Sequence, residues 1–316
     1  MMKKLFLTGI AALVCISIMA QQGAALKLNP EKGKTYRFRS SSNQTIVQTI
    51  NGNQQTVESS SNNAVSIKMV DITPAFIVAE VRIDTVASRT NAMGKITTMS
   101  SATEGNVESK EAQDVMSYFM NKLTKTPLYA KIDFTGKVTE IVNLKMVAPI
   151  VIKDTSLIKA AEPVGSALKQ QVASLVNESS LKSTIEVFTY NLPAKEVAKG
   201  ETWSTQNSTN AGGMALDITT TYTLDDIAGN TATVSAESKI AASPNAAPMK
   251  QGPATITYES LKGMSKSTLI VDTATGLSSS HTAKTMISGT LGVTVPGMSL
   301  EMPMEITSTS TATLVK

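Results

Sequence analysis

The chain says nearly the same thing twice, and a chain built on a repeated unit has few folds open to it. Lys32-Gly33-Lys34-Thr35-Tyr36 returns as Lys199-Gly200-Glu201-Thr202-Trp203. Met69-Val70-Asp71-Ile72, ahead of an alternating run at 76–83, returns as Leu224-Asp225-Asp226-Ile227 ahead of 231–236. Ile132-Asp133-Phe134-Thr135-Gly136 returns as Val271-Asp272-Thr273-Ala274-Thr275-Gly276. Three echoes in one order indicate an internal duplication, the first thing to look for in any chain. Each echo is punctuation rather than chemistry. A glycine frees a turn, an aromatic anchors the strand behind it, and an Asp-to-Gly pair closes a hairpin.

Between the echoes the pattern is that of strands. Ser, Thr, Val and Ile favour a pleated, half-buried surface. Residues 35–40 and 45–50 lead to Asn51-Gly52, a two-residue hairpin signal, and a return strand follows. In 76–83, Ala79, Val81 and Ile83 alternate with Glu80 and Arg82, which predicts one face on a core and one in water. Met93-Gly94 predicts another hairpin ending near Ser101. Two stretches change period. In 108–123, Val115, Met116, Phe119, Met120 and Leu123 fall at helical spacing, and Val164, Leu168, Val172, Leu175 and Val176 do so behind Pro163. Residues 181–188 read as a short helical turn or a strand, and 137–144 as the return strand of a hairpin. The second half is almost wholly β, with 241–253 as a proline-rich loop. In the last strand Met298, Leu300, Met302, Met304 and Ile306 share one face, and Pro303 predicts a sheet edge or bulge there.

The second echo unit is shorter than the first, and the difference falls where the first carries the helix around Val115. The expected fold is mainly β with minor α: two related curved antiparallel sheets, half-barrel-like, one with an inserted amphipathic helix, plus a connecting helical segment. The expected division is a signal peptide at 1–20, a first β repeat with its helix at 21–156, a helical connector at 157–190 and a second β repeat at 191–316.

Lys3 and Lys4, the apolar run at 5–19 and small residues at Ala20 and Gly23-Ala24-Ala25 form an export signal, with cleavage after Ala20 or Ala25. The one cysteine, Cys15, lies inside that run behind Val14, which argues against a lipid anchor there. The chain left after export has no thiol and no disulfide, so it must stabilise itself by burying a core. Of the formal charge of +4, the signal lysines carry two. With no basic cluster left, nucleic acid is not an expected partner. Aromatics at 4% leave little for stacking on sugars or bases. No later segment reads as a membrane-spanning helix, and the expected location is periplasmic or secreted.

Catalytic patterns are sought and not found. The sole histidine, His281, follows Ser278, Ser279 and Ser280, but no nucleophile-elbow motif accompanies it, and it reads as an exposed polar residue on a strand. A single histidine also leaves too few ligands for an ordinary zinc site. Asp71 and Asp225-Asp226 lack further carboxylates at calcium-loop spacing and read as strand-end turn residues. No metal, no cofactor and no catalytic residue are expected.

The Gly-x-x-Tyr/Trp heads and the Asp-to-Gly turns resemble those of uncharacterised exported β-rich proteins of Gram-negative bacteria. Their architecture is similar to lipoprotein-carrier-like half-barrels, a curved antiparallel sheet lidded by helices. The resemblance implies that fold and an envelope location and carries over no catalytic residue; the expected function is non-catalytic binding of an apolar ligand, a lipid or acyl chain, on a concave β face. The residues expected to form that face are Val115, Met116, Phe119 and Met120 on the helix, and Met298, Met302 and Met304 on the last strand. The alternative is a structural or interaction module for a protein partner or cell-wall glycan. Partners expected on these readings are a lipid, a lipoprotein or another envelope protein.

Overall fold

The computed structural model describes residues 23–50, 52–190, 192–211, 214–244, 248–251, 254–258 and 260–315. The expected export signal, with Cys15, and Asn51 lie outside the described residues. A short strand β1 (Gly23–Leu26) precedes three long ones, β2 (Thr35–Ile50), β3 (Asn53–Ile72) and β4 (Ile77–Ala92), and β5 (Lys95–Ser100) folds back on β4. Helix α1 (Ala112–Thr124) leads to a hairpin of β6 (Leu128–Ile132) and β7 (Val138–Ile141). Three helices follow: α2 (Leu144–Ile152), α3 (Val164–Leu175) and α4 (Glu178–Thr189). The second half holds β8 (Lys195–Ala198), β9 (Thr202–Ala211), β10 (Met214–Ala228), β11 (Thr231–Ala242), β12 (Met249–Gln251) and β13 (Ala254–Tyr258). It ends with β14 (Lys262–Asp272), β15 (Ser278–Val295) and β16 (Met298–Val315).

The chain is mainly β. Strands β1 and β8 form a small antiparallel pair, and the others join one large curved sheet ordered β7-β6-β4-β3-β2-β16-β15-β14-β11-β10-β9, with β5 branching from β4 and the β12–β13 pair from β15. The last strand pairs with β2, Leu314 opposite Phe38, so the second half of the chain runs directly into the first. The halves therefore share a sheet.

The echoes build the same local structure twice. Gly33 and Gly200 both take φ +84, a conformation glycine enters without strain. The Gly33 N–H donates to the Met69 carbonyl at 2.6 Å, and the Gly200 N–H to that of Leu224 at 2.7 Å. The strand register slips between Met69 and Asp71, and again between Leu224 and Asp226. Each slip turns a carboxylate toward a lysine, Lys32–Asp71 at 2.6 Å and Lys199–Asp226 at 2.7 Å. Hydrogen bonds from the lysines hold both carboxyls below their usual range. These exposed pairs contribute little stability; they mark equivalent bulges. Tyr36 and Trp203 are buried at the strand heads, Trp203 stacking on Tyr222 at 5.4 Å.

The curl of the sheet encloses two cores. The larger packs the inward residues of β2, β3, β4, β6, β10, β11 and β14 against the helices, and Phe38 stacks on Phe188 of α4 at 5.0 Å. A smaller one gathers Leu216, Ile240, Leu261, Leu291, Met304 and Ile306. Between them, on the same inward face, Ser59, Gln44, Ser308, Thr285, Ser265, Ser238, Thr220 and Thr205 stand opposite one another on successive strands. The belt pairs with itself where contacts are close: Thr285 donates to Ser265 at 2.8 Å, and Thr220 and Ser238 share a hydrogen bond at 2.8 Å. Thr220, the buried member, is satisfied in this way, whereas the Thr205 hydroxyl beside it has no hydrogen-bond partner among the described residues.

Three local expectations need correction. Residues 142–144 do not extend the return strand: Asn143 accepts from the Tyr129 N–H and donates to the Pro127 carbonyl, both at 2.9 Å, and the chain turns into α2. The Val/Ile-rich sequence of α2, with Pro149 inside it, reads as strand locally, and tertiary packing of Val147 and Val151 overrides that preference. Residues 178–189 are a full helix, opened by the Asn177 side chain, which accepts from the Ser180 N–H at 2.7 Å. The loop at 241–253 contains the short strand β12, paired with β13. Pro303 lies where β16 has only β15 beside it, because pairing to β2 starts at Met304. That meets the expectation of a local edge.

Candidate functional site

The sheet curls until its two edge strands, β7 and β9, both lie against α4. The helix buries Leu181, Ile185 and Phe188 in the large core and presents a polar flank to the edges. Toward β7 that flank meets the backbone: Glu186 accepts from the Val138 N–H at 2.8 Å, and Lys182 donates to the Thr139 carbonyl at 2.8 Å. At its C-terminal end Thr189 donates to the Gly136 carbonyl at 2.6 Å. Helix and edge are bolted together.

Toward β9 the seam stays open. A cleft of about 700 Å³ runs between α4 and residues 206–209, with Val187, Ser183 and Tyr190 on the helix side and Ile218 and His281 reaching it from deeper in the sheet. Its volume suits a ligand site, and it combines apolar wall with a few convergent polar groups.

Three titratable groups on this cleft are displaced by their surroundings. Burial pushes the Glu186 carboxyl up, against the stabilising hydrogen bond from Val138 and the nearby charges of Lys137 and Lys182. Burial likewise raises the Tyr190 hydroxyl, partly offset by the nearby Thr205 hydroxyl. The His281 imidazole is pushed down by burial. Groups shifted by desolvation and gathered in one cleft are a physical signature of a functional site. His281 is thus inward-facing and half-buried, not exposed as its polar sequence context suggested. It stands opposite Leu269 and Ala312. The hydroxyls of Ser278 and Ser279 donate to the Ile270 carbonyl instead, at 3.4 and 3.1 Å, and no hydrogen bond joins a serine to His281 among the described residues. The arrangement can bind and shield a ligand.

The shifts have opposite pH consequences. A carboxyl raised on folding adds stability below its ordinary value of 4.5 that is lost as pH rises through the folded value. A lowered imidazole adds stability above 6.5 that is lost as pH falls through its folded value. Glu186→Gln keeps an acceptor for the Val138 N–H and removes the charge. Thermal melts from pH 4 to 7 should fall less steeply with rising pH in this variant than in the wild type. Superimposable profiles would exonerate the half-buried carboxylate.

The residues singled out from sequence do not converge. Val115, Met116, Phe119 and Met120 are 0%, 5%, 0% and 7% exposed and are sealed inside the protein. Met304 belongs to the smaller core and Met302 packs against it, while Met298 is 52% exposed beside the Gly297 turn. Apart from His281, the seam residues escaped sequence reading because their edge position depends on how distant strands order themselves. The one local hint was the ambiguous period of residues 181–188.

Residues 75–278 match the model of a family of unknown function, DUF6263, over more than half of the chain. The chain belongs to the DUF6263 family. The matched span runs from β4 to the start of β15, so the DUF6263 region contains α4, both sheet edges and every seam residue named above except His281. No curated protein sequence matches. Among solved structures, one described as lipid-protein interactions in lipovitellin is 11% identical with a TM-score of 0.45, covering 90% of this chain and 25% of that one. The DUF6263 protein thus spans a quarter of that chain's length. OccK9 (OpdG) of Pseudomonas aeruginosa is 6% identical with a TM-score of 0.23, covering 90% of this chain and 100% of that one, and OccAB4 of Acinetobacter baumannii is 10% identical with a TM-score of 0.22, covering 91% and 100%. Likenesses this slight carry no argument about ligand or activity. No helix among the described residues is long and apolar enough to cross a membrane.

Proposed function

We propose that this DUF6263 protein is an exported, non-catalytic binding module of the bacterial envelope, and that it engages its partner at the seam between α4 and β9. The observation that carries the reading is the cleft of about 700 Å³ left where the curled sheet fails to meet itself, faced by groups that burial has shifted. The export signal supports the location. The paired echoes support two β repeats of common origin, with the helices between them serving to join and fill.

A second reading, an apolar ligand such as a lipid acyl chain, draws on the wall of Val138, Val187 and Ile218 in the same cleft. It moves from the helix and methionine faces, whose side chains are core or scattered, to the seam. Native mass spectrometry of protein purified from its own envelope separates the two: a bound lipid favours the second, a stoichiometric polypeptide the first. Ile218→Trp fills the cleft and should remove either ligand while leaving the melting temperature within a few degrees, a change of about 1 kcal/mol or less. Protein that comes off clean in both forms would sink the seam reading.

A further inference from the structure

The two edges of the sheet are treated differently. At β7, side chains of α4 answer the backbone, Glu186 to the Val138 N–H and Lys182 to the Thr139 carbonyl. Strand β9 pairs with β10 on one side. Along its other side the cleft passes residues 206–209, whose backbone makes no hydrogen bond in that direction among the described residues.

Exposed edge strands are normally guarded by a lysine, a proline, a bulge or an inward charge, because free N–H and C=O groups recruit other strands. The sequence of β9, TWSTQNSTNA, has no charge and no proline, and it pairs with β10 without a register slip. Along residues 206–209 the edge is regular and carries none of these sequence guards, and it opens on a cleft rather than on bulk water. Backbone groups that alternate along an edge are matched by one ligand chemistry, another extended polypeptide backbone.

We propose that an extended polypeptide segment adds to β9 as a further strand, inside the cleft beside α4. Its alternate side chains turn toward Ile218 and His281 and are apolar or small; those between them face solvent and are polar. A second copy of this chain fits less well, because α4 stands beside the edge at Ser179, Ser183 and Val187 and a whole sheet would have to pass it. This inference rests on the seam being the binding site.

A defined probe exists in the protein itself. A synthetic peptide copying residues 214–224 has the required alternation, with Leu216, Ile218, Thr220 and Tyr222 on one face, and β9 already pairs with that sequence on its other side. Hydrogen exchange on the full exported chain should show alternate amides among residues 204–210 slowed by about tenfold or more with this peptide, and unchanged with a shuffled peptide that breaks the alternation. Gln206→Pro and Asn207→Pro supply the second arm. Neighbouring residues aim their N–H groups at opposite sides of the strand, so one variant breaks the β10 ladder and the other removes only a cleft-facing donor. The variant that keeps its melting temperature should bind the peptide about tenfold more weakly or worse. Equal binding by that variant overturns the proposal, as does protection of β9 that rises with protein concentration in the absence of peptide. If Ile218→Trp abolishes ligand binding while the tolerated proline does not, the seam reading stands and strand addition falls. If neither has any effect, both fall.

Discussion

Gly136→Ala should be among the most damaging single substitutions in this protein. Gly136 takes φ +88, where an L side chain is strained, and a Cβ there would land on the Thr189 carbonyl oxygen at the C-terminal end of α4. Neither neighbour can step aside. Gly136 closes the β6–β7 turn through its N–H to the Asp133 carbonyl at 2.9 Å, and Thr189 is tied back to the Gly136 carbonyl at 2.6 Å. Backbone strain and forced overlap together cost about 3 kcal/mol or more. The damage is also local to function, since α4 holds the β7 edge and forms one wall of the seam. Gly33→Ala is the control. It has nearly the same φ, +84, but a Cβ there meets nothing within 4 Å, so only the strain of about 1 kcal/mol applies. Chemical denaturation of the two variants should give midpoints well separated from each other. Comparable losses would mean that the α4 contact is slack and that the bolt at this edge is not what it looks to be.

The contrast between these glycines shows which parts of the fold were legible in sequence. The turn glycines, the hairpin at Met93-Gly94 and the anchoring of Tyr36 and Trp203 all follow from neighbours in the chain, and local chemistry is written locally. What Gly136 touches is not. Thr189 lies 53 positions away and is brought there by the packing of Leu181, Ile185 and Phe188. The same holds for the seam. That β9 is an edge follows from β2 pairing with β16 rather than with β9, a choice made among strands with nearly interchangeable Ser/Thr patterns. His281 is misjudged for the same reason. Three serines before it suggest solvent, but alternation turns it inward between Leu269 and Ala312.

Phe119→Ala should cost about 3–5 kcal/mol, the range for removing a buried aromatic ring. Phe119 is 0% exposed and packs with Val115, Met116 and Leu123 in the large core, its ring edge-on to Tyr118 at 5.3 Å. The next polar layer cannot collapse into the space, because Tyr118 donates to Asp154 at 2.7 Å and Lys122 pairs with the same carboxylate. A helix pinned on its outer side leaves a cavity behind when its inner side is cut. Met298→Ala, on the other group of residues that sequence marked as an apolar face, should change stability by about 0.5 kcal/mol or less, because that side chain is 52% exposed at a hairpin tip. The pair of measurements decides what the helical face is for. If α1 is core, Phe119→Ala lowers the denaturation midpoint and leaves ligand affinity per folded molecule unchanged. If α1 instead lines a ligand site that opens in solution, the stability loss will be small, because a face that must part from its neighbours is packed loosely against them, and binding will fall with it. The full burial of Val115 and Phe119 argues for the first outcome, with binding left to the seam on the far side of α4.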